Sequence, residues 1–204
     1  MTRLLAAVAA CALIGCAHAD GTTPTDEQKP VVQQPANEAR PLSGPDAAAL
    51  ADFSERVKQY SELHKRLEAT LPRLPKETTP TQIDEHQRAL EKLIRAERKN
   101  ARPGDIITQP VRRHFRQVLA RVFAGQIGAE LKATVLDENP GPIALAVNSR
   151  YPDQVPLSTV PPQVLSSLPK LPEDLEYRFI GERLILLDVH AHIIADFMEN
   201  AFPR

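Results

Sequence analysis

Cysteine is nearly absent from this 204-residue chain, and its two copies, Cys11 and Cys16, both fall near the N-terminus. Everything after position 16 therefore folds without a disulfide and has no thiol for redox or nucleophilic chemistry. Long apolar runs are missing too. The stretch from Leu4 to Ala17 is apolar, but at about 14 residues it falls short of the roughly 18 to 20 that a membrane-spanning helix needs. The chain also lacks G-x-S-x-G, H-E-x-x-H and a P-loop, the usual signatures of nucleophile-elbow hydrolases, zincins and nucleotide hydrolases. These absences argue against an enzyme and against a bound cofactor.

What is present begins with an address. Arg3 heads the apolar run, which closes on Leu13-Ile14-Gly15-Cys16. This tetrad resembles the lipobox of bacterial lipoprotein signals. The resemblance implies that 1–15 is a signal peptide, that cleavage precedes Cys16, and that the Cys16 thiol takes a diacylglycerol anchoring the protein to a membrane. Ala17-His18-Ala19 offers a competing A-x-A site, with cleavage before Asp20 and a soluble periplasmic product. Ala17, rather than Asp, follows the cysteine, which by resemblance to enterobacterial sorting points to the periplasmic side of the outer membrane. Residues 16–44 then turn to Pro, Thr, Gln and acidic residues, with Pro24, Pro30, Pro35 and Pro41 spread along them. Such a segment buries too little apolar surface to offset its ordering entropy, so it reads as a disordered tether.

Residues 45–204 have the length of one ordinary domain. Leu50, Phe53, Val57, Tyr60, Leu63, Leu67 and Leu71 recur at helical spacing between Asp46 and a stop at Pro72. A second helix is predicted from Thr81 to Asn100, with Ile83, His86, Leu90, Leu93, Ile94 and Glu97 along one face. Joined by a turn between Pro75 and Pro80, the two make a helical hairpin. A third helix begins near Thr108 to Val111, with Pro110 in its first turn and Phe115, Val118, Leu119, Val122 and Phe123 as its buried stripe. Gly125 and Gly128 are expected to interrupt it before a further segment from Ala129 to Leu136. Asn139-Pro140-Gly141-Pro142 then ends the helical region, 45–140.

In 141–204 the chain changes character. Tyr151 to Pro162 is too proline-rich for a central strand, and Pro162 to Leu168 suits one small helix. Tyr177 to Ile180 and Leu184 to Leu187 flank Gly181-Glu182-Arg183, the length of a bulged hairpin connection. A turn over Val189 to His192 leads to a third strand, Ile193 to Phe197. Helices first and a small antiparallel β-meander last make an α+β fold, packed as one domain.

The residues Val160-Pro161-Pro162, Leu165, Leu168-Pro169-Lys170-Leu171-Pro172, Leu175 to Gly181, Leu184, Leu186, Asp188 and Ile194-Ala195-Asp196 resemble the C-terminal module of small periplasmic proteins. These include the RcnB-like family, linked to nickel and cobalt homeostasis. The resemblance implies an exported β module; residues 45–140 have no counterpart in it.

Candidate chemistry is sparse. Asp84-Glu85-His86 has the residue types of an acid and base set, but neighbours on a helix point about 100° apart and do not converge. His190-Ala191-His192, near Asp188 and Asp196, is the best metal-ligand candidate, because imidazoles and carboxylates together suit divalent transition metals. The competing reading is that His190 and His192 decorate a turn and hold no metal. His64 and His114 read as ordinary surface or boundary histidines.

Between Arg88 and Arg121 ten basic residues face three acidic ones, a net charge of +7, whereas Val122 to Arg204 carries −5. Arg112, Arg113 and Arg116 head a candidate cationic surface for lipopolysaccharide, peptidoglycan carboxylates or an envelope protein; the alternative is that these charges solvate helices or pair with the acidic module. Nucleic acid is excluded by export and by the lack of interleaved aromatics. The expected function is a lipid-anchored envelope interaction or structural module, with a periplasmic metal-homeostasis accessory as the alternative.

Overall fold

The computed structural model describes residues 44–138 and 143–203. The expected signal peptide, Cys16, the expected tether through residue 43 and the expected helix end at Asn139 to Pro142 lie outside the described residues.

Helix α1 (Pro45–Glu68) opens with Pro45 in its first turn and Asp46 beside the positive end of the helix dipole, and it ends with Lys65 and Arg66 at the negative end. Ala49, Phe53, Val57, Tyr60, His64 and Leu67 form its buried stripe. It stops short of Pro72, where Thr70 satisfies the carbonyl of Leu67 with both its amide and its hydroxyl. Helix α2 (Pro80–Glu97) starts on a capping box in which Thr79 and Gln82 satisfy each other's amides. Of its expected face only Leu90 and Ile94 are buried: Ile83 is exposed because the N-terminal half of α2 does not reach the core, and Glu97 is exposed at the helix's last residue.

Helix α3 (Gln109–Val122) follows its predicted stripe closely. Phe115, fully buried, meets Phe53 edge-on at 5.2 Å and Tyr177 at 6.2 Å, tying α1, α3 and the sheet into one apolar cluster. The expected interruption falls just before the glycines, at Phe123 and Ala124, and the further helix starts earlier than Ala129. Gly125 opens helix α4 (Gly125–Asp137), and Gly128 lies in its first turn, where a Cβ would come within 2.3 Å of the Phe123 carbonyl carbon. Gly128 thus permits the tight corner instead of breaking a helix.

After the short α5 (Pro162–Ser167), strands β1 (Leu175–Ile180), β2 (Arg183–Asp188) and β3 (Ile193–Met198) form an antiparallel meander in the order β1-β2-β3. The hairpin is tighter than predicted: Ile180 pairs with Arg183, so the turn is the two residues Gly181-Glu182, with φ of +55° at Gly181. The irregularity lies instead between β2 and β3, where the register shifts at Leu186/Leu187. The fold is α+β, five helices followed by one three-stranded sheet among the described residues.

Both faces of the sheet are buried. Tyr177, Phe179, Leu184 and Leu186 join the helical core, while Ile180, Ile185, Leu187, Ile194 and Phe197 pack with Tyr151 and Val155. The proline-rich stretch makes no strand, as expected, but it seals the sheet. Residues 148–151 exchange backbone hydrogen bonds with His192 and Ile194 on the outer edge of β3, and the Ser158 hydroxyl both donates to and accepts from the backbone of Phe179 on β1. The β3 edge is thus paired by backbone, and the β1 edge is contacted by Ser158 at Phe179. Among the described residues no helix is long and apolar enough to cross a membrane.

Candidate metal centre

The end of β2 meets the last turns of α1 at Asp188, which is fully buried. Its Oδ1 accepts the backbone N–H groups of His190 (3.1 Å) and Ala191 (2.8 Å), closing the β2–β3 turn in the manner of an Asx turn. Its Oδ2 accepts the Tyr60 hydroxyl at 2.7 Å and lies 2.7 Å from His64 Nδ1. A carboxylate only accepts, so Nδ1 carries the proton and donates, which turns Nε2 away from Asp188. Burial first, then the bond and charge of Asp188, push the Tyr60 phenol well above its ordinary pKa. At His64, burial opposes the charged imidazolium, but the hydrogen bond and charge of Asp188, helped by Asp174 and Glu68, outweigh it and raise the pKa.

His64 Nε2 faces His190 Nδ1 at 3.3 Å and Glu68 Oε2 at 3.4 Å, and His190 Nδ1 stands 3.1 Å from Glu68 Oε1. The three donor atoms of His64, Glu68 and His190 lie within 4.8 Å of one another. A tetrahedral ion with bonds of about 2.1 Å spaces its ligand atoms about 3.4 Å apart; the His64–His190 separation matches that spacing, while Glu68 faces the two imidazoles with different oxygens and would turn to bring one of them onto a shared ion. The burial gradient suits a metal too: His64 is fixed in the core, Glu68 is half-buried, and His190 is 47% exposed by its side chain, which leaves an access path. Behind His64, Asp188 is the outer-shell carboxylate that holds a ligating imidazole in one tautomer and raises its basicity. A second buried carboxylate, Asp174, accepts from Ser61 at 2.8 Å and keeps its other oxygen without a hydrogen-bond partner.

The structure separates the sequence candidates. His190 belongs to the cluster, but His192 does not. His192 sits at φ +54° with its ring against Tyr151 and its Nε2 3.9 Å from Asp153; burial and the nearby Arg150 lower its pKa. The backbone at His192 is left-handed, and the two imidazoles face different partners, Glu68 for His190 and Tyr151 and Asp153 for His192. Asp188 is a support for His64 rather than a ligand in this set, and Asp196 is bound elsewhere, to the amides of Gly104, Ile106 and Ile107.

His64 is not the surface or boundary histidine expected, because α1 turns that position inward onto β2. His114 is buried as well, with Nδ1 3.3 Å from Asp46. Asp84 turns to Arg88 and Arg150, away from any partnership with His86. Of the cationic candidates, Arg112 donates to the carbonyls of Ile107 and Phe197 and Arg116 to those of Glu199 and Asn200, so both brace the end of β3, while Arg113 is exposed.

Two ligands lay outside the sequence reading, and a signal for them existed. His64 falls on the buried stripe of α1, and Glu68 follows four residues later on the same helix face. No family model, no curated protein and no solved structure matches this chain.

Proposed function

We propose that this domain binds a divalent transition metal through His64, Glu68 and His190, as a metal-holding accessory of the bacterial envelope and not as an enzyme. The observation that carries the reading is the convergence of three donor atoms from α1 and the β2–β3 turn. Imidazole and carboxylate ligands suit zinc, nickel and cobalt. The likeness of residues 160–196 to RcnB-like proteins runs the same way, and the resemblance of Leu13-Ile14-Gly15-Cys16 to a lipobox supports a membrane setting.

Titration with Co²⁺ tests it by the visible bands of a low-coordinate cobalt centre. Wild type and His192→Ala should develop the bands at the same metal equivalents, and His190→Ala and Glu68→Gln should not. Loss of the bands in His192→Ala alone, or their absence from wild type, would overturn the site. For the anchor, Cys16→Ser should move the protein from the membrane fraction to the soluble periplasm. Unchanged attachment, or a mature mass beginning at Asp20, would remove the lipoprotein reading.

A further inference from the structure

A cleft of about 390 Å³ runs along the last turn of α1 and the segment leading to α2, and the ligand Glu68 stands in its wall. Lys65, Arg73 and His86 line the same cleft, and among the described residues none of the three side chains has an ion-pair or hydrogen-bond partner. The floor is apolar: Leu71 is half-buried, Pro72 follows it, and Leu74 is 42% exposed. A second hollow of about 300 Å³ shares Leu71, Pro72, Arg73, Leu74 and His86 and continues past Pro75 to Gln82, Glu85 and Ala89, so the groove extends beyond the cationic end, with Glu85 on its far rim.

From this arrangement, and resting on the metal reading above, we propose that the groove binds an aliphatic monocarboxylate whose head completes the metal's coordination. Three protein ligands leave a tetrahedral ion one position open. Glu68 belongs to both the ligand set and the cleft wall, so the cleft borders the proposed metal through that side chain. The unneutralised Lys65 and Arg73 select a negative head, and the guanidinium of Arg73 matches a carboxylate with two parallel N–H donors. Leu71, Pro72, Leu74 and Pro75 give the other end of the ligand an apolar bed, where each methylene covered adds to affinity. A purely anionic site would leave that bed exposed, and a purely apolar one would leave the cations without a partner.

The test uses the full chain loaded with Zn²⁺ and titrated with hexanoate, with hexan-1-ol and inorganic phosphate as comparison probes. Hexanoate should bind most tightly, and removing Zn²⁺ should weaken it strongly. Arg73→Ala, at an exposed position, should keep its Zn²⁺ affinity and lose about tenfold in hexanoate affinity, as expected for one charge-assisted contact. Leu74→Asp should also retain Zn²⁺ and lose hexanoate.

Zinc binding with no hexanoate binding would overturn the groove proposal and leave the metal centre standing. Equal hexanoate affinity with and without Zn²⁺ would overturn the shared coordination. Phosphate binding as tightly as hexanoate would overturn the selection for an aliphatic acid. Failure to bind Zn²⁺ at all would remove the metal reading itself, and this proposal with it.

Discussion

Two fully buried aspartates clasp the helices to the same sheet, one at the end of β2 and one within β3, and they do so with different partners. Asp196 accepts almost wholly from main chain: Gly104, Ile106 and Ile107 from the loop before α3, and its own neighbour Phe197, at 2.7 to 3.2 Å. Asp188 divides its two oxygens, one on the amides of its own turn and one on the side chains of Tyr60 and His64. Main-chain donors saturate Asp196 and end the network there. At Asp188 an imidazole carries the network outward to Glu68 and His190. Burial of a carboxylate alone therefore marks nothing; what matters is whether its partner has a second polar atom facing somewhere useful.

That contrast orders the expected losses. Asp196→Ala strands several buried amides at once and should cost the most, about 3–5 kcal/mol by urea denaturation, with little effect on metal affinity beyond the loss of fold. Asp188→Asn keeps the shape but removes the charge. It should cost about 1–3 kcal/mol and lower metal affinity by about 10- to 100-fold, as outer-shell carboxylates do. If Asp196→Ala instead weakened metal binding in protein that remained folded, the two clasps would not be separable as described.

Much of this architecture is legible in the sequence. The apolar stripes of α1 and α3 follow from periodicity, because burial on one face forces the pattern, and the three strands show as short apolar runs bounded by turn residues, because both faces of the sheet are buried. In the sequence the two-residue turn at Gly181-Glu182 looks one residue longer, because Arg183, polar and half-buried, has the character of loop while pairing as strand. Polar contacts between distant segments were not legible. His64 meets Asp188 across 124 residues, and no local pattern announces that pairing. A histidine inside an apolar stripe was nevertheless a readable sign of a buried imidazole needing a partner. The proline-rich segment could be excluded as a strand, but its role as cover for the sheet depends on tertiary packing alone.

The central claim is that His190, and not its sequence neighbour His192, completes a metal site on α1. Thermal unfolding with and without Zn²⁺ tests it most directly. Zinc at about a hundredfold over its Kd should stabilise wild type by about 2.7 kcal/mol, or roughly 5–10 °C for a domain of this size. His192→Ala should show the same increment. His190→Ala, on an exposed turn, should unfold within about 0.5 kcal/mol of wild type without metal and show no increment with it. A zinc increment that survives His190→Ala, or that disappears only with His192→Ala, would contradict the account.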